Sequence, residues 1–190
     1  MALNRLKNVH HAAYRCRDAE QTRWFYEDVL GLPYTMAVVE EHLPGTDIAR
    51  PYMHLFFEMG DGNFIAFFDD PNSASSEQFE HKDSFDYHVA IETDSVDDLS
   101  LWKEKLKAAR IKCAGPVDHG FVQSIYFYDP NGIALEITAK PEGHEKSAEE
   151  HGRDAKQQLA DWTARTREQK ISIFGQDELD RREVAKFYDY

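Results

Sequence analysis

The chain has little cysteine. Its 190 residues include two, Cys16 and Cys113, with no Cys-x-x-Cys spacing. That leaves no disulfide scaffold and no thiolate zinc site, so both thiols are expected as buried packing residues in a strand and at a strand edge. No apolar run approaches the roughly 20 residues that cross a bilayer. The opening MALNRLKNVHH leads into no apolar segment of the secretory kind, and a cytoplasmic protein is expected. Positive charge is scarce as well. Lysine and arginine total 22 against 35 aspartate and glutamate, and the net charge of −13 repels phosphate backbones and anionic lipid. Nucleic acid and membrane surfaces are therefore poor partners. What the chain does have is apolar area, 42% hydrophobic with 13% aromatic, enough to order one well-packed domain.

Periodicity divides that domain into two similar halves. Val9–Cys16 alternates as a strand. Asp18 and Gln21 then form an Asp-x-x-Gln box that opens a helix carrying Trp24, Phe25, Val29 and Leu30 on one face and stopping at Gly31. Strand-like runs follow at Tyr34–Glu40, Tyr52–Met59 and Asn63–Phe68, the last two joined through Gly60-Asp61-Gly62. Residues 86–139 repeat the order. Asp86–Glu92 is a strand, and Asp94 or Ser95 caps a helix with Leu99, Trp102, Leu106 and Ala109 on one face. Strands at Ile111–Ala114, Val122–Tyr128 and Ile133–Ala139 complete it, the last two reversed by Asp129-Pro130-Asn131-Gly132. The expected fold is α+β, two paired βαβββ modules (9–69 and 86–139) within a domain of residues 1–140, packed together with a concave groove between them. The polar stretch Asp70–Asp83 links the modules. Residues 141–190 form a C-terminal extension expected as one long helix over 145–170, its apolar stripe facing its own domain or a second subunit. Ile171, Ile173 and Phe174, with Val184, Phe187, Tyr188 and Tyr190, mark a final docking segment.

The nine histidines sort by strand phase. Alternation puts His11, Ala13 and Arg15 on one face of the first strand, and it groups His88 with Ala90 opposite Val89 and Ile91. In the last strand Ala134, Glu136 and Thr138 lie opposite Leu135 and Ile137, so Glu136 is a carboxylate amid apolar neighbours and needs a cation. Two imidazoles and a carboxylate suit a divalent first-row metal with open coordination positions. The alternative is two core histidines and a Glu136–Arg15 pair, and spacing alone leaves both open. Histidines 10, 42, 54, 144 and 151 are assigned to polar edges and loops.

Four stretches then carry a resemblance: His11 with Asp18 seven residues on, Phe25-Tyr26 followed by Leu30-Gly31, Tyr87-His88-Val89-Ala90, and Tyr126 through Gly132 leading to Leu135-Glu136. Over residues 9–139 the chain resembles the vicinal oxygen chelate superfamily, which includes glyoxalase I, extradiol ring-cleaving dioxygenases, fosfomycin and bleomycin resistance proteins and several epimerases. The resemblance implies an incomplete barrel around a metal held by His11, His88 and Glu136. Glyoxalase I adds a fourth ligand, a glutamate, where this chain has Ala66, with Glu58 as the nearest substitute. A three-ligand site is what the Fe(II)-dependent extradiol branch uses, which implies Fe(II), or Mn, Ni, Co or Zn, with an aromatic diol and O2 as substrates. Phe64, Ala66 and Phe68 would line an apolar substrate wall, and Arg15 matches an arginine that contacts substrate in glyoxalases. By the same resemblance Tyr126 orients a substrate oxygen and His119 is the acid–base group, while His81 is the nearest match to the branch's other catalytic histidine. A homodimer is implied. The rival implications are an isomerase, epimerase or lyase of the same fold, or a sequestering protein without catalysis.

Overall fold

The computed structural model describes residues 5–182. Contacts divide the chain into Met1–Lys140 and Pro141–Tyr190. In the first unit, strand β1 (His11–Cys16) leads into α1 (Ala19–Arg23), which continues as a wider π-type turn over Trp24–Val29. β2 (Tyr34–His42), β3 (Ala49–Glu58) and β4 (Phe64–Asp69) complete the first module. A 3-10 turn at Ser76–Phe79 lies in the linker. The second module is β5 (His88–Glu92), α2 (Val96–Ala108), β6 (Ala114–Asp118), β7 (Gln123–Tyr128) and β8 (Ala134–Ala139). The sheets run β1-β4-β3-β2 and β5-β8-β7-β6, the same order twice, each with a parallel first pair and no closed barrel.

Local chemistry sets the helix ends. Asp18 is extended and its Oδ1 accepts the Gln21 N–H at 2.7 Å, a one-sided cap in place of the reciprocal box. In the π-type turn Leu30 N–H reaches Phe25 O, and Phe25, Tyr26 and Val29 all turn inward. Ser95 caps α2 reciprocally with Asp98.

One core serves both modules. Leu55, Phe57, Ile65 and Phe67 from the first sheet meet Ile125, Phe127, Leu135 and Ile137 from the second, with Phe25, Tyr26, Leu99 and Leu106 from the helical segments among them. A polar lock joins the halves at the β7–β8 turn. Tyr26 Oη donates to Asp129 Oδ2 at 3.1 Å, Arg17 N–H donates to Asn131 Oδ1 at 2.8 Å, and Asn131 Nδ2 reaches Thr22 Oγ1 at 3.3 Å. Gly132 closes this turn at φ +79°, where a Cβ would run into the backbone of Glu80.

Three expectations change. The strand expected at Ile111–Ala114 begins at Ala114, because Arg110 takes a left-handed φ of 61° and residues 111–113 leave α2 without ladder partners. The single C-terminal helix is two, α3 (His144–Arg153) and α4 (Ala155–Phe174), followed by α5 (Gln176–Asp180). The break falls at Gly152-Arg153-Asp154, where glycine is a poor helix former and aspartate favours a boundary. Ile171, Ile173 and Phe174 end α4, and Val184, Phe187, Tyr188 and Tyr190 lie outside the described residues. Both cysteines are free, Cys16 buried and Cys113 half-buried, and burial pushes the Cys16 thiol up to about 12. Among the described residues no helix is long and apolar enough to cross a membrane.

Candidate metal centre

On the second sheet four residues named from the sequence come together. β5 lies parallel to β8 with Ala90 opposite Glu136, and β7 lies antiparallel to it with Tyr126 opposite Glu136. His88, one residue pair along, brings Nε2 to 2.5 Å from Glu136 Oε2. Glu136 is 7% exposed, so the imidazole gives the buried carboxylate the partner its surroundings require. The Tyr126 ring stands edge-on to His88 at 6.1 Å, and its hydroxyl lies 2.6 Å from His119 Nε2. Burial, then the neighbouring Glu136 carboxylate, raises the Tyr126 phenol above its usual range. The cluster is therefore a carboxylate, an imidazole and a phenol on one face, with a second imidazole leading to solvent.

On the first sheet, strand register places three rows on one face: His11, Ala13 and Arg15; Phe64, Ala66 and Phe68; Phe56, His54 and Tyr52. His11 Nδ1 lies 2.9 Å from His10 Nδ1, which fixes the ring and leaves Nε2 for an ion. Ala66 is fully buried between half-buried Phe64 and Phe68, an apolar floor beside His11. His54, assigned no role from the sequence, is stacked on Phe68 at 3.8 Å and 20° and lies 6.0 Å from His11, ring centre to ring centre. Burial, and after it the His11 charge, lowers the His54 imidazole below the usual range. Glu58 sits opposite Phe64, so that residue's strand separates it from β1 and His11.

Arg15 does not reach Glu136. Its Nη1 donates to Ser73 Oγ at 3.0 Å and to the Asp70 carbonyl at 3.2 Å, and it lies 3.3 Å from the Asp70 carboxylate. Arg50 binds the same carboxylate through Nε at 2.7 Å. No strand pattern foretells this cluster, because Asp70 and Ser73 come from the linker. Burial raises the Asp70 carboxyl, but Ser73, Arg50 and Arg15 outweigh it and hold the group below the ordinary carboxylate range. His81 stacks on Tyr128 at 4.4 Å and 10°, with Trp24 and Phe25 in the same open groove.

Among the described residues no three His, Cys, Asp or Glu side chains gather at ion-binding range. His88 and Glu136 meet, while His11 stands on the other sheet with His10 and His54. The reason is the choice of core. Both modules bury the faces opposite these residues against each other, which leaves His11, Ala13, His88 and Ala90 exposed. The donors suit a divalent first-row ion: two imidazole nitrogens, one with its second nitrogen already engaged, and a buried carboxylate.

Comparison with known proteins agrees on the fold. The family model described as "Glyoxalase/Bleomycin resistance protein/Dioxygenase superfamily" matches residues 8–137. A Bacillus subtilis (strain 168) protein named "Putative ring-cleaving dioxygenase MhqA" is 25% identical over 147 residues, covering 73% of this chain. The chain spans 42% of the length of that curated relative. The crystal structure of a glyoxalase/dioxygenase from Nostoc punctiforme is 26% identical with a TM-score of 0.54, covering 74% of this chain and 100% of the other. A fosfomycin resistance protein, FosX, from Listeria monocytogenes, solved as a point mutant with Mn(II) and 1S,2S-dihydroxypropylphosphonic acid, has a TM-score of 0.52. It is 17% identical, covering 74% of this chain and 98% of the other. With two like-ordered βαβββ modules and a family match spanning both, the chain belongs to the glyoxalase/bleomycin resistance protein/dioxygenase superfamily.

Proposed function

We propose that the chain is an Fe(II)-dependent extradiol dioxygenase that opens the ring of a catechol-type aromatic beside its two hydroxyls. The observation that carries this reading is the His88–Glu136 contact with Tyr126 and His119 beside it. His11, His88 and Glu136 hold the ion, and because His11 is on the other sheet, a second copy of the chain supplies it. In that homodimer the His11 face of one protomer closes over the His88–Glu136 face of its partner, and the two sites are equivalent.

The ion supplies Lewis acidity and a template on which a diol and O2 can be brought together. The protein does the rest. Phe64, Ala66 and Phe68 form an apolar floor that admits an aromatic ring and excludes water. Tyr126, its phenol kept protonated by burial, donates a hydrogen bond to a substrate oxygen. His119 is hydrogen-bonded to that phenol and exposed on its other side, so it carries a proton between site and solvent. Arg15 lies at the far end of the floor from His11 and meets a polar substituent of the substrate. The similarity to MhqA supports the reaction class.

The test is aerobic incubation of Fe(II)-reconstituted protein with a panel of catechols, recording oxygen uptake and the yellow of ring-fission products. Colour with stoichiometric oxygen consumption is expected. Neither signal from any diol moves the chain to the isomerase, epimerase or lyase class, and a protein that binds ligand but no ion is a sequestering one.

A further inference from the structure

We infer that the open groove holding Trp24, His81 and Tyr128 is a second binding site, one that takes a planar aromatic carboxylate. The ligand's ring stacks on these side chains, and Arg110 with Lys112 holds the carboxylate. The inference is independent of the ring-cleavage reading.

The groove forms where a strand starts late. Ala114 on β6 pairs with Tyr126, and residues 111–113 have no ladder partner, so the Phe127–Tyr128 end of β7 is open along that side. The space there is about 940 Å³, lined by Trp24 from the first module, His81 from the linker, and Arg110, Lys112 and Tyr128 from the second. That volume suits a small molecule. Its aromatic lining is set in place. His81 and Tyr128 stack at 4.4 Å and 10°, and the Tyr128 hydroxyl donates to the Lys82 carbonyl at 2.9 Å, which anchors the pair. Trp24 leaves 41% of its surface uncovered, and an exposed ring of this size beside a stacked pair offers area on which a flat ligand can lie.

The charges point to the ligand's other end. Arg110 and Lys112 are exposed on this groove, and among the described residues neither has an ion-pair partner, although acidic residues outnumber basic ones 35 to 22. Arg110 also stands where arginine is unfavourable. It carries the chain off α2 at a left-handed φ of 61°, its N–H bonded to Lys107 O and the next N–H, of Ile111, to Leu106 O. The first module leaves its helical segment through Gly31 at φ 81°. Glycine takes this conformation freely and arginine pays strain for it. Backbone geometry alone calls for glycine here, so the guanidinium is what the position adds. Its planar fork matches the two oxygens of a carboxylate, and Lys112 contributes a second charge.

The test is calorimetric titration of the full chain with 2-naphthoate, run with and without EDTA. Two comparison ligands accompany it: 2-naphthamide keeps the rings without the charge, and cyclohexanecarboxylate keeps the charge without the rings. Saturable 2-naphthoate binding is expected, the same in EDTA, with each comparison ligand at least about tenfold weaker. Arg110→Gly should melt no lower than wild type, yet bind 2-naphthoate at least about tenfold more weakly and lose most of the preference for acid over amide. His81→Ala, at an exposed position, should weaken both two-ring ligands in parallel. Absence of saturable 2-naphthoate binding overturns the inference, as does equal affinity for either comparison ligand or full affinity in Arg110→Gly. Loss of binding in EDTA also overturns it, because the carboxylate then sits on an ion. A chain that binds 2-naphthoate as expected but opens no catechol keeps the groove and loses the dioxygenase reading; one that opens catechols and ignores 2-naphthoate loses only the groove.

Discussion

Mixing two inactive variants separates a site shared between chains from one built within a chain. His11→Ala removes the ligand on the first sheet; Glu136→Gln removes the carboxylate on the second. Each homodimer then has two broken sites, because every site needs one face of each kind. When equal amounts are unfolded together and refolded, half of the dimers pair one chain of each sort. Each mixed dimer has one complete site, joining His11 of the Glu136→Gln chain with His88 and Glu136 of the His11→Ala chain, and one site lacking both. The mixture should recover about a quarter of the wild-type Co(II) content and ring-cleavage rate. Thermal melting gives a second readout. An ion at about a hundred times its dissociation constant adds about 2.7 kcal/mol to the folded state, or about 5–10 °C for a chain of this size. The wild type should show that shift and each lone variant should not. If the mixture does no better than its components while wild type holds metal and turns over, the three ligands do not come from two chains.

Other expectations follow from the polar clusters. Tyr26→Phe removes a buried donor from Asp129 and should cost about 1–3 kcal/mol in urea unfolding; a loss under about 0.5 kcal/mol refutes the lock. Burial raises the folded Asp129 carboxyl above its ordinary 3.8, so stability should fall as pH climbs from that range through the raised value. Tyr26→Phe should steepen this fall, and a pH-independent difference between variant and wild type contradicts it. Asp70 has the opposite sign. Its depressed carboxyl stabilises the fold above the ordinary range and loses that contribution as pH drops through the folded value, so Asp70→Asn should destabilise at pH 7 and converge with wild type in acid. Deleting residues 141–190 removes the exposed Leu159, Trp162, Ile173 and Phe174, and should shift the solution mass from twice 22.0 kDa toward monomer if these helices tighten the dimer; an unchanged dimer frees them of that role.

Strand alternation was the most legible signal. It separated His88 from Val89 and Glu136 from Leu135, and it revealed the repeated module, because period-two patterning shows directly which face is buried. It could not reveal which buried face meets which. The sequence reading placed a groove between the halves and the three ligands in it, whereas Phe25, Tyr26 and Phe127 join the halves from behind and leave the ligand faces outside. The placement of His54, within β3 and not at a strand edge, escaped for a related reason. A histidine between Met53 and Leu55 reads as a strand-edge polar residue until the β3–β4 register sets it against Phe68. The Asp70 cluster gathers residues from two strands and a linker, and no local pattern encodes it.

The shared core of the two modules has a consequence for how such a protein is handled. If each reaction centre is split between molecules, turnover per chain falls on dilution once protomers separate, even though every molecule stays folded. Specific activity measured across a concentration series should then bend downward at low protein, and the bend should track the monomer fraction seen by light scattering.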